Sequence, residues 1–266
     1  MKRYKWLLGC CLFLSIGMLW AADEPDLRML QQKAAQSRDM EGYVGVCKYL
    51  YQTEENPELL LLYADSIHQL ATKSKKPEQL VEYYIWASEG NFIKGDFQQG
   101  YALKRKAIAL AEKAGLKFAI SQSCCDMGYY CNVDARYDSA RYYFRKGLEA
   151  GEDLSEEGEA CRTMLTNYAS SFLFEGKTDS ALVYTIRASE RSAADKDTAM
   201  LIENLNQLGT IYRRKKDLEN CIANFEQALH LCELRGNHNA VAFIYGNIAT
   251  AYCDWNRPGD AIPFSP

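Results

Sequence analysis

Small and apolar residues return along this chain at a fixed interval. Ser88, Gly128, Ala169, Gly209 and Ala249 stand 40, 41, 40 and 40 residues apart, and Gly100, Ala140, Ala181, Cys221 and Ala261 repeat those spacings twelve residues later. A period in this range marks stacked supersecondary units, none of which covers its apolar face alone. Inside a unit the apolar spacing is helical. Leu205, Leu208, Gly209 and Tyr212 form one stripe, Cys221, Phe225 and Ala228 a second, and Lys215-Lys216-Asp217 separates them. Each unit therefore reads as a helix hairpin. Gly209, Cys221 and Ala228 let the two backbones approach, while Tyr212 and Phe225 fill the space beside them. The unit from 162 repeats the layout with Leu165, Tyr168, Ala169, Phe172, Ala181 and Ala188, and the unit from 121 with Cys124, Met127, Gly128, Cys131, Ala140, Phe144 and Gly147. Asp96, Asp138, Asp179, Asp217 and Asp260 fall at the turns, where a carboxylate can accept the free N–H groups that open a helix. The pattern predicts an all-α helical solenoid.

Over roughly 81–262 these residues resemble the tetratricopeptide repeat family: apolar, then apolar-small, aromatic, small, aromatic and small, at the family's offsets in the three central units. The departure is length. The usual repeat has about 34 residues, and the additional six amount to roughly 9 Å of helix per repeat. That is similar to the long-helix subclass of kinesin light chain-like, Rap-like and MalT-like arrays. The resemblance implies a right-handed superhelix of antiparallel hairpins with repeats at 81–120, 121–161, 162–201, 202–241 and an incomplete 242–266. The unit from 81 departs most, with Asn91 and Lys104 where an aromatic is expected, although Tyr84, Ala87, Ser88, Gly100 and Ala107 keep the pattern. Residues 23–80 read as an N-terminal helical cap and a degenerate repeat, with helices over 25–38, 39–53 and 57–74 bounded by Pro25, Pro57 and Pro77. In the last unit the stripe Tyr245, Ile248 and Tyr252 calls for a covering helix, which Pro263 and Pro266 interrupt. The expectation is an incomplete array with an exposed apolar edge prone to self-association.

Residues 1–22 have another character. Lys2, Arg3 and Lys5 precede an uncharged apolar run from Trp6 to Trp20, followed by Ala21-Ala22 and acidic Asp23-Glu24. This is the grammar of a signal peptide, and the run is short for a membrane span. It predicts export to a bacterial periplasm, with an uncleaved N-terminal anchor as the alternative and no stable span after cleavage. Without residues 1–22 the chain holds 28 basic and 35 acidic residues, a net charge of −7. Such a balance gives no electrostatic reason to bind nucleic acid or an anionic membrane.

Eight cysteines follow that segment. Cys124, Cys131 and Cys221 take slots where neighbouring units place Leu, Phe or Ala, so they are expected as buried free thiols, with a disulfide as the alternative an oxidising compartment permits. Cys124-Cys125 with Cys131 lacks the spacing of a zinc site, and no histidine lies near it. His68, His230 and His238 are scattered. No phosphate loop, dinucleotide fingerprint, HExxH or GxSxG stands in the chain, and no carboxylate pair is placed for acid–base work. No catalytic residue, cofactor or metal is expected.

What remains is binding. In a stacked array the first helix of each hairpin lines the concave face. Asn167 and Asn247 face it by helical geometry, with Gln207 and Asp126 at the equivalent places, and Tyr129, Ser170, Thr210 and Thr250 form the adjacent row beside Arg213. An Asn amide donates to and accepts from a peptide backbone at once. This resembles the Asn ladder by which long-helix arrays hold an extended partner. The expected function is a non-enzymatic scaffold for a peptide or protein partner. Its alternative is the sensory part of a tetratricopeptide-containing transcriptional regulator or histidine kinase, without its output module.

Overall fold

The computed structural model describes residues 26–54, 56–151, 158–257 and 259. Twelve α-helices and no strand are present among them: α1 Leu27–Ser37, α2 Met40–Thr53, α3 Pro57–Ser74, α4 Pro77–Lys94, α5 Phe97–Ala114, α6 Lys117–Val133, α7 Tyr137–Gly151, α8 Gly158–Phe174, α9 Thr178–Ala194, α10 Thr198–Arg214, α11 Leu218–Leu234 and α12 His238–Asp254. They fall into two compact units, 26–127 with 146–151 and 128–145 with 158–257.

In the first unit α1 to α5 pack in chain order, each on the next, and α2 also touches α4. Val46, Leu50, Leu60, Ile67, Val81, Ile85 and Ala107 form its core. The second unit repeats the arrangement from α8 to α12, where the first helices α8, α10 and α12 also touch in sequence. Ile202, Leu208, Cys221, Phe225, Ile244 and Ile248 are buried together there. The architecture is a set of antiparallel helix hairpins, as the period implied.

Close approach within a hairpin has a local cause. A Cβ on Gly128 would lie 2.5 Å from the Phe144 ring, and one on Gly209 would lie 2.6 Å from that of Phe225. The missing side chain is the space the aromatic ring fills. Helix ends repeat as strictly as cores do. Gly95, Ala135, Gly176, Lys216 and Asn256 all have positive φ just after a first helix, and Gly115, Lys196 and Gly236 have it after a second helix. Only some of these slots hold the glycine that the left-handed region favours, which is why composition alone does not reveal the repeat.

Two expectations are corrected at the turns and the final helix. Asp96 and Asp217 do cap α5 and α11, accepting from Gln99 N and Asn220 N at 3.1 Å. Asp138 and Asp179 do not; they sit inside the first turns of α7 and α9, where they pair with Arg141 and Lys215. They still oppose the helix dipole, but from two residues beyond the capping slot. Asp260 lies outside the described residues. On α12, Ile248 is not part of an exposed edge: it is fully buried, with Tyr245 and Tyr252 half-buried against the same core. Helix α11 already covers that stripe, and the uncovered side carries Ala242, Gly246, Thr250 and Cys253 instead.

Among the described residues, no disulfide joins any two of the seven cysteines Cys47, Cys124, Cys125, Cys131, Cys221, Cys232 and Cys253. Burial pushes the Cys124 thiol up to about 12 and those of Cys221 and Cys232 to about 11. They act as small hydrophobes, not as nucleophiles.

Candidate functional site: the amide-lined face of the first helices

In the second unit, side-chain amides link neighbouring first helices. Asn247 of α12 donates from Nδ2 to Oδ1 of Asn206 on α10 at 2.7 Å, and Asn132 of α6 donates to the Asn167 carbonyl of α8 at 3.0 Å. Asn167 and Asn247 are half-buried. Thr210 and Thr250 bond back to the carbonyls of Asn206 and Gly246, four residues earlier, which holds each hydroxyl against its own helix and leaves lone pairs outward. Arg213 lies on the same face and pairs with Asp254 of α12 at 3.5 Å. Tyr129 of α6 is half-buried, its ring edge-on to Tyr130 at 5.2 Å.

Two residues of the expected row turn inward. Gln207 is buried and fully engaged: Nε2 donates to Ser170 Oγ at 2.6 Å, and Oε1 accepts from Thr185 at 3.0 Å. Ser170 is buried with it and donates to the Thr166 carbonyl. A parallel chain runs from Thr166 through Asn204 to Ser192 at 2.8 and 3.1 Å. These bonds satisfy polar groups that would otherwise be costly to bury. Thr185 explains the inward turn, because it stands in the slot that Phe144 and Phe225 hold in neighbouring repeats, and its hydroxyl draws the Gln207 amide into the core.

Asp126, the fourth residue of the row, belongs to the first unit and has another task. Lys104 on α5 is fully buried and pairs with Glu89 on α4 and with Asp126 on α6, the latter at 2.9 Å. Burial alone lowers the Lys104 pKa, but the charges of Asp126 and Glu89, with their hydrogen bonds, more than reverse that and hold it above the usual lysine value. The lysine that departed from the repeat pattern is thus the centre of a buried ion triad. Its sequence signal was the coincidence of Glu89 after the small slot, Lys104 in the aromatic slot and Asp126 one repeat on.

No group of His, Cys, Asp and Glu among the described residues could hold a metal ion. A cavity of about 460 Å³ between α9, α10 and α11 is lined in part by Leu201, Leu205, Leu231, Glu190 and His230, none of which belongs to the amide row.

Against this geometry the similarities are specific to the fold. The tetratricopeptide repeat family matches residues 200–264, the last stretch of the array. The fold is tetratricopeptide-like. Among solved structures the chain is similar to the apo form of RapI, at 10% identity with a TM-score of 0.71, covering 99% of this chain and 73% of that one. A kinesin light chain protein of Podosopora anserina with nearly identical repeats is 13% identical, with a TM-score of 0.55 and coverage of 79% and 92%. NprR in complex with its cognate peptide NprX is 14% identical, with a TM-score of 0.51 and coverage of 98% and 76%. Comparison with curated proteins gives no match.

These similarities correct the expected location. RapI and NprR are cytoplasmic bacterial regulators, so the exported, periplasmic placement is withdrawn, and the anchored alternative with it. Its basis, residues 1–22, lies outside the described residues. No helix among the described residues is long and apolar enough to cross a membrane.

Proposed function

We propose that the chain is a non-enzymatic peptide-binding module that serves as the sensing part of a regulator. The observation that carries this reading is the amide row: Asn167, Asn206 and Asn247 on the first helices α8, α10 and α12, with Asn132 of α6 bonded to the Asn167 carbonyl and Asn247 bonded to Asn206. A row of amides set on adjoining helices matches the alternating donors and acceptors of an extended peptide backbone. NprR, of similar fold, is solved with a peptide. The long-helix subclass and the division into repeats at 81–120, 121–161, 162–201 and 202–241 belong to the same proposal, as does association of two copies through the uncovered side of α12.

The test is selection of ligands from a random nonapeptide display library on the purified chain. Peptides so obtained should bind Asn167→Ala and Asn247→Ala about fivefold more weakly each, as expected for a lost contact of about 1 kcal/mol. The two effects should add, because the sites share no partner, and thermal melts should stay nearly unchanged. A library that yields no binder, or binders indifferent to both substitutions, removes this reading.

A further inference from the structure

We propose that α7 and α9 of the second unit carry a second docking surface, which takes an acidic segment of a partner protein. Arg145 and Arg187 receive its carboxylates, and Tyr142, Val183 and Ile186 receive the apolar side chains between them. This surface lies on second helices and goes beyond the amide row, which lies on first helices.

Three aromatic rings form the base of the surface. Tyr168 and Phe172 of α8 meet edge-on at 5.1 Å, Tyr168 meets Tyr184 of α9 edge-on at 4.6 Å, and Phe172 stacks on Tyr184 at 5.3 Å with 6° between the planes. Tyr168 also meets Phe144 of α7 edge-on at 6.4 Å, so one ring touches both second helices. Arginines surround the cluster. Arg141 of α7 lies over the Phe172 ring at 4.8 Å and Arg187 of α9 over the Tyr184 ring at 6.0 Å. Burial, and then Tyr184, push the Tyr168 phenol up, while Arg145 and Arg141 act against that rise; both guanidinium groups are thus within electrostatic reach of its hydroxyl.

The arginines differ in what holds them. Arg141 is largely buried and pairs with Asp138 and with Glu175, the latter at 2.6 Å. Arg145 and Arg187 are exposed, and neither has an ion pair or hydrogen bond with any described residue. The acids that follow them on their own helices, Glu149 and Glu190, lie within a turn but do not pair with them. The Tyr184 face steadies the Arg187 guanidinium before any ligand arrives, which lowers the cost of ordering it on binding.

Apolar groups stand beside these charges. Tyr142 is 50% exposed, Val183 54% and Ile186 37%. Tyr142 lies one turn before Arg145, and Val183 one turn before Arg187, so each helix presents an apolar group and a guanidinium along one side. The repeat framework does not require this: the equivalent slots of α11 hold Ala223, Glu226 and Gln227. Unpaired guanidinium groups among exposed apolar side chains are complementary to carboxylates set among apolar side chains. Nucleic acid fits less well, because two unpaired arginines neutralise few phosphates on a chain whose net charge beyond residue 22 is −7.

The test pans a random nonapeptide display library in parallel on two forms of the full chain. Both carry Asn167→Ala and Asn247→Ala to remove the amide row, and one also carries Arg145→Gln and Arg187→Gln. The form that keeps the arginines should return peptides enriched several-fold in Asp and Glu beside apolar residues. The other should lose that enrichment while melting at the same temperature. The strongest acidic peptide should lose at least tenfold in affinity on the double Gln substitution, less on the double Lys substitution, and several-fold on Val183→Ser with Ile186→Ser. Its binding should weaken as salt is raised, and restoring Asn167 and Asn247 should leave it unchanged. Absence of acidic enrichment, acidic peptides indifferent to the two arginines, or an oligothymidylate that displaces them at equal concentration would overturn the proposal.

Discussion

Lys104 occupies the slot of Phe144 and Phe225, and it fills the slot by the opposite physics. The aromatic rings take up the space a glycine leaves, whereas Lys104 enters the core only because Glu89 and Asp126 receive its ammonium. Removing one partner of a buried ion group leaves unpaired charge, which costs about 3–5 kcal/mol. Lys104→Met should therefore destabilise by that order in chemical denaturation, although methionine matches the volume and the slot is apolar elsewhere. The pH dependence identifies the cause. The Lys104 pKa is raised on folding, so its contribution is complete below the ordinary lysine value near 10.4 and is lost only as pH rises through the folded value. Wild-type stability should thus show no Lys104-linked change near neutrality. In Lys104→Met the abandoned carboxylates favour protonation, so the deficit should shrink towards pH 4; a deficit independent of pH would assign the loss to packing. At this scale the sequence shows which residues break the pattern but not what they do instead. Lys104 and Gln207 both sit at legible repeat positions, yet their roles depend on Asp126 and Thr185, which lie 22 residues away in each case.

The helix and its ends are the better-read level. Period and small-residue spacing place the hairpins because the close crossings at Gly128 and Gly209 leave no room for a Cβ, a demand visible in a single letter. Turn chemistry is less legible. Five first-helix ends adopt positive φ, but only Gly95 and Gly176 announce it, while Ala135, Lys216 and Asn256 adopt it under the same geometry. A non-glycine residue pays about 1 kcal/mol to sit there. Ala135→Gly should then raise stability by roughly 0.5–1 kcal/mol, reduced somewhat by the added freedom of the unfolded chain. Asn256→Gly should gain less, because asparagine tolerates that conformation. The measurement is the denaturation midpoint of each variant against wild type. An Ala135→Gly that loses stability would mean the methyl group contributes more packing than the backbone costs. The same contrast explains why Asp138 and Asp179 misled: an acid near a helix start is visible in sequence, but whether it caps or sits two residues further on, inside the first turn, depends on where the left-handed residue ends the preceding helix.

Across the molecule, stability should spread by neighbours, since each helix of the second unit touches chiefly the one before and the one after it. Energies in such arrays are close to sums of repeat and interface contributions, so damage has a range. Gly209→Leu is the sharpest probe, because a side chain at that position meets the Phe225 ring already at Cβ; overpacking of this kind costs about 1–3 kcal/mol or more. Hydrogen exchange of the variant should quicken most in α10 and α11, less in α9 and α12, and not at all in α2 to α4 of the first unit. The buried chains Thr166–Asn204–Ser192 and Ser170–Gln207–Thr185 cross from α10 to α8 and α9, so protection in those two helices should fall together and not one before the other. A selected peptide bound to the amide row should reverse part of this loss. At 100 times its dissociation constant, a ligand of the folded state adds about 2.7 kcal/mol, enough to offset the substitution if α10 keeps its place. Rescue that restores α8, α10 and α12 together would show that one ligand spans the three first helices. Rescue confined to a single helix would place the ligand elsewhere and count against the row as its seat.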